Sequence, residues 1–151
     1  MSNTNYTQLV EQARSLVSGE SDLIANMANI SSLLFNQLPA VNWAGFYLYK
    51  QEQLVLGPFQ GQPACIRIPM GKGVCGTAAA TRETQLVEDV HQFKGHIACD
   101  AASNSEIVIP LVIGDELIGV LDIDSPEFGR FSEQDKQGLE QIAAALLESQ
   151  Q

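Results

Sequence analysis

The stretch EIVIPLVIGDELIGVLDIDSP, residues 106–126, decides how the chain folds. Ile107–Ile113 and Leu117–Ile123 are apolar runs rich in β-branched residues, and Gly114-Asp115 between them is a turn signal, so the stretch reads as a β-hairpin. Asp122 and Asp124 stand two apart at its far end and therefore share one face, with Ile118 and Val120 read ahead of them on that face. Whether Glu106 joins them turns on register. A two-residue turn at Gly114–Asp115 puts Glu106 on the opposite face from Asp122, whereas a three-residue loop or one bulge puts it on the same face. The residues leave both open.

Working outward, the same alternation appears at 42–49, NWAGFYLY, where Trp43, Gly45, Tyr47 and Tyr49 alternate with Ala44, Phe46 and Leu48. Leu54–Leu56 and Ala64–Ile68 read as the next strands, and Leu86–Val87 as a brief one. Pro69 and Gly71 then end the sheet pattern, and Val74–Thr81 reads as a short Ala-rich helix entered from a glycine turn. Helical spacing of apolar residues marks Tyr6–Val17 and Leu23–Leu34 at one end and a last helix carrying Leu139, Ile142 and Leu146 at the other, with Ser132 and Asp135 as its capping pair. Asp89–Ser105 shows no period, and a segment of that length without one points to function. This order of elements predicts an α+β domain, a central antiparallel sheet with helices packed on it, and no linker divides residues 1–151.

Composition narrows the classes. The 151 residues are 45% hydrophobic and 17% charged, which excludes disorder. The longest apolar run, Ile107–Ile113, is far short of a membrane span, and the polar opening MSNTNYTQLVEQ lacks a signal-peptide core, so a cytoplasmic protein with no membrane association is expected. The net charge of −10 is uneven: residues 1–82 sum to +1 and residues 83–151 to −11. A field of that sign repels phosphate backbones and argues against nucleic acid.

Three cysteines, Cys65, Cys75 and Cys99, carry the chemical question. An odd number in a chain read as cytoplasmic does not suggest a structural disulfide framework. Their spacing matches no paired metal-binding arrangement, even with His91 and His96 considered, so no metal is expected. Each one alone can be a small buried hydrophobe. As a group they suit thiol–disulfide cycling. Cys99 lies in the aperiodic stretch GHIACDAASNSE and is the candidate nucleophile. Cys75 falls in the first turn of a helix, where backbone N–H groups favour a thiolate, and Cys65 alternates with Ala64 and Ile66; either is a candidate resolving partner. If Glu106, Asp122 and Asp124 converge, mutual repulsion raises at least one pKa and gives an acid beside carboxylates that bind a cation. Trp43 and Tyr47 are either core or the wall of a pocket for a methyl or cationic group. The segment PMGKGVCG is not a phosphate-binding loop, because Gly73 follows Lys72 and Ile66 stands where the first glycine belongs; it remains a candidate backbone nest for a carboxylate.

Taken together, NWAGFYLY (42–49), GPFQGQPACIRIPMGKGVCGTAA (57–79), DVHQFKGHIACDAASNSEIVIPL (89–111) and GVLDIDSP (119–126) resemble the free methionine-(R)-sulfoxide reductases built on a GAF domain. The resemblance implies one GAF domain over residues 1–151, with no bound cofactor. Cys99 then matches the catalytic cysteine, which attacks the sulfoxide sulfur of the free amino acid and becomes a sulfenic acid. Cys65 matches the resolving cysteine that forms a disulfide with it, and Cys75 a third thiol that is an alternative resolving residue. Glu106, Asp122 and Asp124 match the acids that bind the polar end of the substrate and assist loss of its oxygen, Glu106 and Asp124 being counted with the catalytic group. Trp43 and Tyr47 match the aromatic wall. The resemblance further implies thioredoxin as reductant and a homodimer in many members. From another class, the rivals are a GAF ligand-binding or redox-sensing module without turnover and a zinc-binding regulator.

Overall fold

The computed structural model describes residues 4–97 and 102–151. Two helices open the chain, α1 (Tyr6–Val17) and α2 (Leu23–Gln37), each started by a side chain that accepts a backbone N–H: Asn5 from Gln8 and Asp22 from Ala25. Strands β1 (Trp43–Lys50), β2 (Gln53–Gly61) and β3 (Arg67–Pro69) follow, then helix α3 (Gly73–Thr81) and strand β4 (Gln85–Val87). A single 3₁₀ turn, Val90–Gln92, is the only regular element in the described part of 89–104, in keeping with the missing period there. The hairpin of β5 (Ser105–Ile113) and β6 (Glu116–Ser125) and helix α4 (Glu133–Glu148) complete the order. Among the described residues no helix is long and apolar enough to cross a membrane.

The strands form one antiparallel six-stranded sheet in the order β3-β2-β1-β6-β5-β4, so the predicted α+β architecture is the observed one. Alternation along the central strands divides the buried residues into two layers. On one face Ala44, Phe46, Ile107, Ile109, Leu121 and Ile123 pack under α1, α2 and α4. On the other, Trp43, Tyr47, Val108 and Val120 pack against Val74, Cys75, Ala78 and Ala79 of α3. The helix-covered face is apolar apart from Ser105 and Ser125 at the end of the hairpin. The α3 face also carries the acids.

Asp135 ties the first and last helices. Its Oδ2 accepts from the Ser132 backbone N–H at 2.8 Å and Ser132 Oγ accepts from the Asp135 N–H at 3.3 Å, which is the expected capping box. Oδ1 accepts from the Tyr6 hydroxyl at 2.6 Å, and Oδ2 pairs with the Arg130 guanidinium at 3.3 Å.

Two local expectations need correction. The strand expected over Ala64–Ile68 is only Arg67–Pro69, and β2 runs on to Gly61 instead. Residues 62–66 are irregular, so strict alternation fails there: Ala64 and Cys65 both pack toward the α3 layer, while Ile66 is exposed. The second concerns β6. Val112 pairs with Leu117 but Leu111 with Gly119, so Ile118 is an extra residue in β6. That bulge flips the parity of the residues before it. Leu117 therefore joins the α3 layer and Ile118 the opposite one, rather than Ile118 preceding Val120 on the acidic face.

Candidate active site

The same bulge settles the position of Glu106. With the turn at Gly114–Asp115 and no irregularity, Glu106 would face Ile123 and point into the helix-covered core. The extra residue advances the register by one, and Glu106 lies directly opposite Asp124, with Val108 opposite Asp122. Three acids thus share the α3 face at one end of the hairpin. Like charges directly across a ladder are unfavourable, and a departure of that kind from good folding practice marks a working site.

On the other side of β6, strand β1 sets Trp43 opposite Asp124 and Gly45 opposite Asp122. Trp43, Tyr47, Cys75, Glu106, Asp122 and Asp124 line one pocket, which Lys72, Gly73, His96, Ile97 and Ser103 help to close. The aromatic wall is stacked: the Trp43 ring lies 6.0 Å from that of Tyr47 at 23°, and 5.1 Å from that of Phe59 at 13°. Its polar tips are used, Trp43 Nε1–H donating to the Gln62 carbonyl at 3.0 Å and the Tyr47 hydroxyl to the Cys65 carbonyl at 2.8 Å. The second of these bonds ties the backbone of a cysteine to the aromatic wall.

Asp122 is 5% exposed, and its Oδ1 has no hydrogen-bond partner. Burial, followed by the fields of Asp124 and Glu106, holds its carboxyl well above the usual carboxylate range, so the predicted raised acid is present. Burial likewise pushes the Tyr47 phenol up, with Asp122 the next cause.

Cys75 sits in the first turn of α3 as expected, but the expected thiolate does not follow. Burial, then Asp122, Glu106 and Asp124, push its pKa well above the ordinary thiol value, outweighing any favour from the helix N-terminus. Its Sγ is 3.9 Å from Glu106 Oε2. Cys65 is engaged in a disulfide, whereas Cys75 is a free thiol. Cys99, the candidate nucleophile, lies outside the described residues. The candidate metal ligands His91 and His96 approach one another edge-on with ring centroids 5.9 Å apart, and His91 Nε2 is 3.0 Å from Asn104 Oδ1. Among the described residues, the donors that converge as a group of three are instead Cys75, Glu106 and Asp122.

A family model described as "GAF domain" matches residues 25–146. The free methionine-R-sulfoxide reductase of Escherichia coli is 58% identical over 93% of this chain and 86% of its own length. The chain belongs to the free methionine-R-sulfoxide reductase family. Solved structures agree. The enzyme abbreviated fRMsr from Staphylococcus aureus, in its reduced form, superposes with a TM-score of 0.96 at 55% identity, covering all of both chains. Its complex with substrate gives a TM-score of 0.96 at 54% identity, over 100% of this chain and 99% of that one. In this GAF fold the curled sheet supplies the acids and the aromatics, while α3 and the residues around 93–97 cover them.

Two residues at the site lie beyond the sequence pattern. Phe59 backs the aromatic wall by stacking on Trp43, but β2 is expected to end at Leu56, and the register shift between Leu56 and Phe59 breaks the alternation before it is reached. Ser103, which accepts from the Asn42 side-chain amide at 3.2 Å, offered no pattern at all.

Proposed function

We propose that the chain, acting as one GAF unit over residues 1–151, reduces free L-methionine-(R)-sulfoxide to methionine by thiol chemistry. The observation that carries this reading is the meeting of Glu106, Asp122 and Asp124 with the Trp43–Tyr47 wall in one pocket, beside a disulfide-bonded Cys65. A sulfoxide is a weak electrophile until its oxygen takes up a proton. The raised pKa of Asp122 favours a proton within the acid cluster. That proton goes to the sulfoxide oxygen, directly or through Glu106 or Asp124, as the Cys99 thiolate attacks sulfur.

The oxygen is transferred to Cys99, giving a sulfenic acid and methionine. The Cys65 thiol then attacks Cys99 sulfur, water leaves, and a disulfide forms. A dithiol protein of the thioredoxin class returns both cysteines to thiols, taking the disulfide itself, so two electrons pass per sulfoxide reduced. Binding follows from the same residues. The carboxylates attract the ammonium of a free amino acid, and the indole and phenol faces accept its S-methyl end. That a free thiol remains at Cys75 while Cys65 is bonded supports Cys65 as the resolving residue.

The decisive experiment follows NADPH consumption with thioredoxin and thioredoxin reductase, offering free R-sulfoxide, free S-sulfoxide and a sulfoxide-containing peptide separately. Turnover of the free R epimer alone is expected. No turnover of any of the three by reduced, folded protein would leave a ligand-binding GAF module. Cys99→Ser should abolish even one turnover. Cys65→Ser should yield about one methionine per chain and then stop; sustained turnover in that variant would make Cys75 the resolving thiol.

A further inference from the structure

The reaction above has no use for the Cys75 thiol, yet that thiol is aimed at the acids. Sγ of Cys75 and one carboxylate oxygen each of Glu106 and Asp122 all lie within 4.8 Å of one another. A second, independent feature is the Asp122 side chain itself, 5% exposed, lining the pocket with an Oδ1 that has no partner. An orphaned buried oxygen is costly and calls for a ligand.

A thiolate with two carboxylates is a donor set for a borderline-soft divalent ion. Tetrahedral zinc needs Zn–S of about 2.3 Å and Zn–O of about 2.0–2.2 Å, which places donors roughly 3.5 Å apart. Side-chain rotation of Glu106, the longest of the three, closes most of the remaining gap. The cavity of about 40 Å³ has room for roughly three waters, enough for an ion with one water as fourth ligand. Cysteine spacing along the chain could not reveal this arrangement. It uses one cysteine from α3 and two acids from a hairpin that only the bulge brings together.

We propose that Cys75, Glu106 and Asp122 bind one divalent cation of the zinc class at the floor of the pocket. On binding, the Cys75 S–H releases its proton to solvent as the metal–sulfur bond forms, and the carboxylate oxygens supply the metal–oxygen bonds. No electrons move. The bound ion takes the carboxylates that the substrate ammonium would use, so ion and substrate exclude one another; this last clause rests on the proposed function.

The test uses the oxidised full chain, after a thiol titration has counted one free thiol per molecule, and cadmium as the probe. One Cd²⁺ per chain should bind with a sulfur-to-metal charge-transfer absorption in the ultraviolet. Cys75→Ser should lose that absorption. Asp122→Asn and Glu106→Gln, which keep the thiol, should each weaken binding at least about tenfold, and near-ultraviolet circular dichroism of Trp43 checks that each variant is folded. Absence of the band in the wild type overturns the site, as does a band whose affinity is unchanged in both carboxylate variants. Zinc should displace cadmium, and free methionine-R-sulfoxide should weaken cadmium binding. Displacement by zinc but not by sulfoxide overturns the exclusion alone. None of these readings depends on turnover, so a failed reductase assay and a failed metal site are separate results.

Discussion

At Asp122 a carboxyl is kept where its charge is least welcome, with neighbours of its own sign and one oxygen unbonded. Asparagine has the same shape without the charge. Asp122→Asn should therefore leave the melting temperature unchanged or higher, while kcat/KM for the free sulfoxide falls by about 10²–10⁴-fold, the usual worth of a positioned proton donor. Thermal melts and the coupled NADPH assay, run on the same preparation, check both halves. A stable variant with full activity would remove Asp122 from the chemistry. Tyr47 shows the complementary case. Its hydroxyl is satisfied by the Cys65 carbonyl at 2.8 Å, so Tyr47→Phe should cost only about 1 kcal/mol of stability but slow disulfide formation by loosening that cysteine. Rapid-quench thiol counting reads the second effect.

At the scale of elements, the bulge in β6 keeps the acids in register. Deleting Ile118 removes the bulge but leaves Leu111 opposite Gly119 and Glu106 opposite Asp124 with the turn intact, because the bulge only absorbs that one extra residue. The deletion variant should therefore keep the three acids on one face and retain reductase activity, measurable by the same two assays. The bulge is also where the sequence reading ran out. Alternation fixed the faces of β1, because Trp43, Tyr47 and Tyr49 and their neighbours obey period two without interruption. Helices were legible from spacing and the capping pair at Ser132 and Asp135. A backbone irregularity leaves no mark in residue type, so the face of Glu106 follows from the ladder and not from alternation. Cys75 was misjudged for a related reason: its helix turn was legible, but the acids that oppose its ionisation come from strands far away along the chain. Packing between elements gives a further check. The Tyr6 ring fills the space over Gly138 that a Cβ would need, so Gly138→Ala should push α1 from α4 and cost about 1–3 kcal/mol, read by denaturant titration.

For the whole molecule, alkaline pH should reveal the two constrained tyrosines. Both Tyr6 and Tyr47 have raised pKa values, chiefly through burial, so the folded state holds their protons more tightly than the unfolded chain. Their contribution to stability is complete below the ordinary tyrosine pKa of about 10 and is lost as pH rises above it toward the folded values. The melting temperature should fall steeply from pH about 10 upward, and the fall should be shallower in Tyr6→Phe; equal slopes would argue against it. The margins of the sheet have a different consequence. The outermost strands, β3 and β4, are three residues each, and β3 ends in Pro69, which has no N–H to give. A neighbouring chain finds only three residues of ladder on β3 or on β4 to extend, and the net charge of −10 adds repulsion between copies. The strands at the margins of a sheet this rich in valine and isoleucine are thereby poor templates for edge-to-edge growth.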